Sequence, residues 1–265
     1  GRRTLSRGMA FVKRLIGGRE LSVPVVRSSL RGPAPRDVGE APAPGSRLGD
    51  TGEGTGEEGP TLDLYSRIAS TVWPAAVALA HLMASEYPQG HWRGKRVLEL
   101  GSGTGVVGLL AAVLGAQVVM TDVPEALQTL QATLDANKDQ LQGPCLALPL
   151  DWTAFETDWP KLIGCVAADW KVDPPAVVFN YVLCADCVCE GLYPSDAFLA
   201  ALRGTCVGGA TPTVLLANVY RGKEAWFLDH MEDHFRAELV PLQDVPSGYS
   251  VDTPVLVWRL ARAAG

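Results

Sequence analysis

The stretch from Val97 to Leu110, VLELGSGTGVVGLL, restricts the fold more than any other part of the chain. Its apolar opening reads as a buried strand and its apolar close as the first turns of a helix, with glycines at 101, 103 and 105 between them. A strand, a glycine turn and a helix in that order open an α/β sheet. Ligands of such sheets bind at the carboxyl ends of the strands, where the strand order reverses. Glycines at alternate positions let the backbone pass close to a ligand where a Cβ would block it.

Spacing narrows the ligand. A dinucleotide fingerprint, Gly-x-Gly-x-x-Gly, needs a glycine at 106, and Val106 stands there. A phosphate-cradling loop needs Gly-Lys-Ser/Thr, and no lysine follows Gly101 within the loop. Glu99 precedes Gly101 by two residues; with no phosphate to repel, its carboxylate can face a cationic ligand end, directly or through water. Asp122 ends the next expected strand, where an acid accepts both hydroxyls of a ribose. The three glycines with these two acids point to S-adenosylmethionine, a nucleoside with a ribose, a cationic sulfur and no phosphate.

Beyond residue 61 strands and helices alternate. TVWPAAVALAHLMASEY predicts a helix, with Pro74 in its first turn. Arg96–Leu100 and Gln117–Thr121 read as strands, and the helix Val106–Leu114 between them stops at Gly115. Pro124–Asn137 reads as a helix, and Cys145–Leu150 and Ala176–Cys184 as strands, the latter nearly unbroken in apolar character. Ser195–Arg203 is expected helical, Thr213–Val219 a strand and Lys223–Phe235 a helix. Ala237–Leu242 and Val255–Leu260 pair as an antiparallel hairpin across a loop at 243–254. The expected fold is one doubly wound α/β domain over residues 61–265.

Residues 1–60 form an N-terminal extension. Residues 1–36 carry nine basic residues and one acid, Glu20. That bias fits an organelle transit segment; the alternative is a folded strand over residues 20–26, ELSVPVV, after the turn at Gly17 and Gly18. Residues 31–60 are rich in Gly, Pro and acids and read as a flexible linker. The net charge of −6 argues against general affinity for nucleic acid. No run spans a bilayer, since the best candidate, Val106–Met120, is broken by Gly115 and Gln117. Six cysteines do not make a disulfide framework in a chain of 265 residues. A cytoplasmic location is expected, or an organelle if the basic segment is a targeting signal.

Four blocks together resemble methyltransferase family 16, protein-lysine methyltransferases within the class I, seven-strand S-adenosylmethionine group. They are VWPAAVALAHLM, VLELGSGTGVVGL, LGAQVVMTDVPEALQTLQATLDANK, and LDW with VLCADCVC. The third follows the family pattern at Gly115, Thr121, Asp122 and Asn137. The resemblance implies a Rossmann-like seven-strand sheet with a C-terminal antiparallel hairpin. It also implies methyl transfer from S-adenosylmethionine to the ε-amine of a lysine on a protein substrate. Carried over, the cofactor contacts are Trp73, Gly101, Ser102, Gly103, Asp122, Trp152 and Ala185; Glu99 and Gly105 join them from the reading of the turn. Asp186, just past a strand end, is the catalytic candidate, gripping and orienting the amine rather than acting as a strong base. A methyltransferase acting on a small molecule or another side chain, and a cofactor-binding module without chemistry, are the alternatives.

The family motif Asp-x-x-Tyr reads Asp186-Cys-Val-Cys189 here, and Tyr193 or Tyr220 is expected to replace the missing aromatic wall. Asn180 stands where the family has Asp, and residues 153–175 are a longer connection suited to shaping substrate choice. Trp92, Trp159, Trp170, Trp226 and Trp258 are expected in the core. Cys184, Cys187 and Cys189 lack a second close Cys or His pair, so no metal site is expected. His230 and His234 read as solvated helix residues, because Glu232 is not placed as in a His-Glu-x-x-His motif.

Overall fold

The computed structural model describes residues 9–16, 19–26, 68–206, 211–241 and 254–263, and only the backbone of 9–16 and 23–26. Two antiparallel strands come first, β1 (Met9–Ile16) and β2 (Arg19–Val26). Then follow α1 (Pro74–Ser85), β3 (Arg96–Leu100), α2 (Val106–Val113), β4 (Gln117–Asp122), α3 (Leu127–Asn137) and β5 (Cys145–Pro149). The second half holds α4 (Phe155–Trp170), β6 (Tyr181–Ala185), α5 (Ser195–Thr205), β7 (Thr213–Val219), α6 (Ala225–Glu232), β8 (Phe235–Val240) and β9 (Val255–Arg262).

Strands β3 to β9 form one sheet in the order β5-β4-β3-β6-β7-β9-β8. The first five of these run parallel, and β9 enters antiparallel between β7 and β8. This is the expected α/β, Rossmann-like, doubly wound sheet with its C-terminal antiparallel hairpin. Successive strand residues point to opposite faces, and both faces are covered. Val97, Val118, Leu183 and Leu215 pack toward one core with Leu79, Met83 and Leu110. Leu98, Val119, Val182 and Leu216 pack toward the other with Phe155, Phe198 and Phe227. Covering on both sides explains why these strands read as continuous apolar runs.

Several boundaries and placements differ from expectation. The strand expected over Ala176–Cys184 begins only at Tyr181. Two prolines start a 3-10 turn at Pro174–Ala176, and Asn180 binds across strand starts, its Oδ1 accepting from Arg96 N at 2.8 Å. The long connection 153–175 contains α4, whose Phe155, Leu162 and Val166 enter the second core, so its bulk is packing. Phe155, Trp159, Leu162 and Val166 already stand at helical spacing. The last helix stops at Glu232 and Phe235 opens β8, which leaves His234 off the helix. Trp92 is buried, and Trp159, Trp170 and Trp258 pack partly buried against the core. Trp226 is instead 39% exposed and stacks on His230 at 4.3 Å. The linker at 31–60 and nearly all of the 243–254 loop lie outside the described residues.

The strand expected over 20–26 is present as part of β2, and it packs on α3. Asn137 makes the joint: Ser22 N donates to its Oδ1 at 2.8 Å, and its Nδ2 donates to Ser22 O at 2.7 Å and Thr133 O at 2.8 Å. Leu21 beside it is fully buried. Replacing Asn137 with Ala takes the partner from the half-buried N–H and C=O of Ser22, at a cost of about 1 kcal/mol. The expected outcome is a lower urea midpoint together with faster hydrogen exchange at the Ser22 amide. An unchanged exchange rate there would show that the clasp does not hold the hairpin.

Candidate active site

The carboxyl ends of β3, β4, β5 and β6 share one rim of the sheet, and the winding reverses between β3 and β6. A cleft of about 290 Å³ opens at that rim. Trp73, Glu99, Gly101, Ser102, Gly103, Asp122, Trp152, Ala185 and Asp186 all line it. Gly105 does not. It caps the start of α2, with Leu130 and Met120 packed where a side chain would go.

The glycine turn is locked to β4 by reciprocal bonds. Ser102 N donates to Thr121 O at 2.9 Å, and Thr121 N donates to Ser102 Oγ at 3.1 Å. Gly103 N donates to Asp122 Oδ2 at 2.7 Å, and Val123 N to Oδ1 at 2.8 Å. Each carboxylate oxygen has about two lone-pair sites, so each oxygen of Asp122 keeps one for a ribose hydroxyl. Gly101 has φ 63°, and a Cβ there would lie 2.9 Å from Cζ2 of Trp152. A glycine therefore brings the indole down onto the turn.

Glu99 is buried, with Oε2 accepting from Gly108 N at 3.1 Å. A Cβ at 108 would lie 2.5 Å from that oxygen, so Gly108 admits the carboxylate to the backbone of α2. Gly108, three residues past the last glycine of the turn, is thus a fourth glycine the site depends on, and its only signal in the sequence is its place in the first turn of the helix. Burial pushes the Glu99 carboxyl up to about 8, with Asp122 adding to the shift, while bonds from Ser102 and Gly108 oppose it. Burial likewise raises Asp122 against the pull of its two amides. A cation bound beside these two carboxyls would favour their ionised forms and draw both back toward the ordinary range.

Aromatic walls complete the cleft. Trp73 precedes α1 and donates from Nε1 to Ile68 O at 3.2 Å. Trp152 follows β5 in a short turn capped by Asp151, which accepts from Thr153 N at 2.8 Å. Tyr193 lines the cleft edge-on to Trp152, with ring centroids 6.0 Å apart. Tyr220 is 43% exposed and does not line it, so of the two tyrosines only Tyr193 takes the wall position.

Asp186 follows β6 with φ 60°, its N donating to Ala217 O of β7 at 2.8 Å. Its Oδ1 accepts from Val219 N at 3.1 Å and from Arg221 Nη1 at 2.9 Å, and its Oδ2 from Arg221 Nη2 at 2.7 Å. Asn218 holds the loop beside it, bonding both Val188 N and Val188 O. Arg221 was not picked out in the sequence. Its signal is positional, two residues past the end of β7, the neighbour of β6. Cys184 is buried in β6, and Cys187 Sγ donates to Leu100 O at 3.3 Å. Among the described residues no His, Cys, Asp and Glu side chains gather as metal ligands.

The family model described as lysine methyltransferase matches residues 62–233. The chain belongs to the lysine methyltransferase family. S-adenosylmethionine is the cofactor of the family, and the cleft fits it: acids for a cation and a ribose, indoles for an adenine, and a turn with no Cβ at Gly101 and Gly103. Among relatives, EEF1A lysine methyltransferase 3 of Mus musculus is 35% identical over 178 residues, 65% of this chain and 66% of that protein. Protein-lysine methyltransferase METTL21E of Mus musculus is 35% identical over 168 residues, 63% of each chain. The matched segments thus span slightly under two thirds of those relatives. The methyltransferase SMU.776, solved with SAH, superposes with a TM-score of 0.55 at 13% identity, over 98% of this chain and 57% of that one. That likeness establishes a shared fold.

Two outcomes follow from the electrostatics. Glu99 binds its proton more tightly folded than unfolded, so its contribution to stability is full below about pH 4.5 and is lost as pH rises through about 8. Glu99→Gln removes that loss. In ligand-free thermal melts the variant gains on the parent between pH 5 and pH 8.5, and a constant difference across that range would refute the buried charge. Asp122→Ala removes two acceptors for hydroxyls and should weaken S-adenosylhomocysteine binding about 10- to 100-fold by calorimetry.

Proposed function

We propose that this chain transfers a methyl group from S-adenosylmethionine to the ε-amine of a lysine on a protein substrate. The observation that carries the reading is Asp186, a buried carboxylate at the rim of the cofactor cleft, in a chain of the lysine methyltransferase family. S-adenosylmethionine supplies the methyl on a sulfonium: the amine lone pair forms the N–C bond, the S–C bond breaks to a neutral thioether, and the surplus proton passes to water. Asp122 and the glycine turn would hold the nucleoside, Glu99 would serve its cationic end, and Trp73 and Trp152 would offer apolar faces to its base. Asp186 orients the amine, and Tyr193 supplies the aromatic wall that Cys189 cannot. Most of the rate comes from this alignment, which replaces a bimolecular encounter by an oriented one.

Residues 61–265 form the catalytic domain in this reading, since β8 and β9 complete the sheet beyond the family match. EEF1A, named for the mouse relative, is the first acceptor to assay. All six cysteines are free thiols, which supports a reducing compartment such as the cytoplasm. The described residues contain no helix long and apolar enough to cross a membrane.

The test is incubation with methyl-labelled cofactor and heat-treated cell lysate, then gel separation and peptide analysis. Label recovered as methyl-lysine in a protein band is the expected outcome. Label confined to small molecules would replace the proposed substrate class, and cofactor binding without transfer would reduce the chain to a binding module.

A further inference from the structure

We propose that Arg221 sets the charge of the seat at Asp186, so that the acceptor lysine enters it as a neutral amine. The inference rests on the reading of Asp186 as the residue that meets the acceptor. Its starting point is an accounting of hydrogen bonds. A carboxylate offers about four lone-pair sites. Val219 N and the two Arg221 nitrogens take three of them, two on Oδ1 and one on Oδ2. One site remains, on Oδ2. An ammonium brings three donors and no lone pair, whereas a neutral amine donates one N–H there and keeps its lone pair for the methyl group.

Charge points the same way. A lone buried carboxylate beside an amine favours the ammonium, which cannot accept a methyl group. Bidentate pairing with a guanidinium cancels that pull. The pair is asymmetric, with the Asp186 side chain 6% exposed and that of Arg221 29%, so the cation backs the carboxylate from the wetter side. Arg221 is itself held: Nη1 also donates to Val219 O at 3.0 Å. Its backbone N donates to Glu224 Oε1, and Lys223 N to Glu224 Oε2, both at 2.9 Å.

Other titratable groups surround the seat. Glu224 is buried and both of its oxygens are engaged by those loop amides, while Lys223 shares its loop. Cys187 and Cys189 follow Asp186, Tyr193 leads into α5, and Asp122 ends β4. Burial raises the Cys189 thiol and the Tyr193 phenol above their ordinary values. The bidentate contact makes Arg221 the direct counter-charge of Asp186.

The experiment measures kcat against pH from 6.5 to 9.5 at saturating acceptor, because kcat reports ionisations within the substrate complex. Recombinant EEF1A is the probe, replaced by the purified labelled protein from the lysate assay if EEF1A takes no label. Arg221→Met should raise the apparent midpoint by about 1–2 units, with a loss of about tenfold or more at pH 7 that is regained at pH 9.5. Arg221→Lys should keep the parent midpoint. The double variant Asp186→Asn with Arg221→Met removes both charges, leaves no uncompensated buried carboxylate, and should return the midpoint to the parent value at reduced rate. Calorimetry with S-adenosylhomocysteine should give both single Arg221 variants the parent affinity.

A profile for Arg221→Met that is unchanged, or lowered equally at every pH, overturns the role of Arg221 alone. If that variant fails to bind S-adenosylhomocysteine, a displaced midpoint in Arg221→Lys or in the double variant overturns it. Absence of methyl-lysine from the parent chain with either acceptor overturns the lysine reading, and this inference with it.

Discussion

The carboxylate of Asp122 holds the amides of Gly103 and Val123, and through them joins the turn after β3 to the end of β4. The exchange of bonds between Ser102 and Thr121 doubles that joint, and the Thr121 hydroxyl donates to Glu99 O at 2.6 Å. Everything at the rim is referred to this lock. It fixes the left-handed turn, sets where α2 begins and decides which acid oxygens remain open to a ligand. A nucleoside then meets a surface whose polar groups are already in place, so little binding energy is lost to ordering them.

Three carboxyls around one small cleft, Glu99 and Asp186 buried and Asp122 half-buried, would repel each other and lose hydration, and the fold meets that cost differently for each. Glu99 is left to hold its proton, being pushed up to about 8 by burial. Asp122 is stabilised by two backbone amides. Asp186 is matched by a guanidinium. Chemically similar groups thus meet the cleft in different states: one holding its proton, one with lone pairs still free and one paired with a cation.

The same economy shows in the scaffold. Asn137 closes α3 and binds the backbone of Ser22, 115 residues away, which makes the N-terminal hairpin part of the layer over the sheet. Tyr193 reaches the cleft from the loop before α5 and sets an aromatic edge against Trp152. Helix α4 spends the long connection on core packing, with Phe155 and Trp159 stacked at 5.3 Å.

Periodicity and glycine placement are local properties, and they were enough to read the strands β3, β4 and β7, the turn at 101–105 and the two acids beside it. Trp73, Trp152, Ala185 and Asp186 were legible because whole blocks of sequence carried a family likeness. Contacts between segments distant in sequence were not legible. Nothing near Asp186 announces that Arg221, 35 residues on, will cover both its oxygens, since that pairing exists only once β6 and β7 lie side by side. For the same reason Gly105 turned away from the cleft, Tyr193 rather than Tyr220 faced it, and Gly108 proved to be the point where Glu99 touches the backbone. Local pattern dictates which segments become strands, turns and helices; the charge and the free lone pairs of the site come from how strand ends are brought together in space.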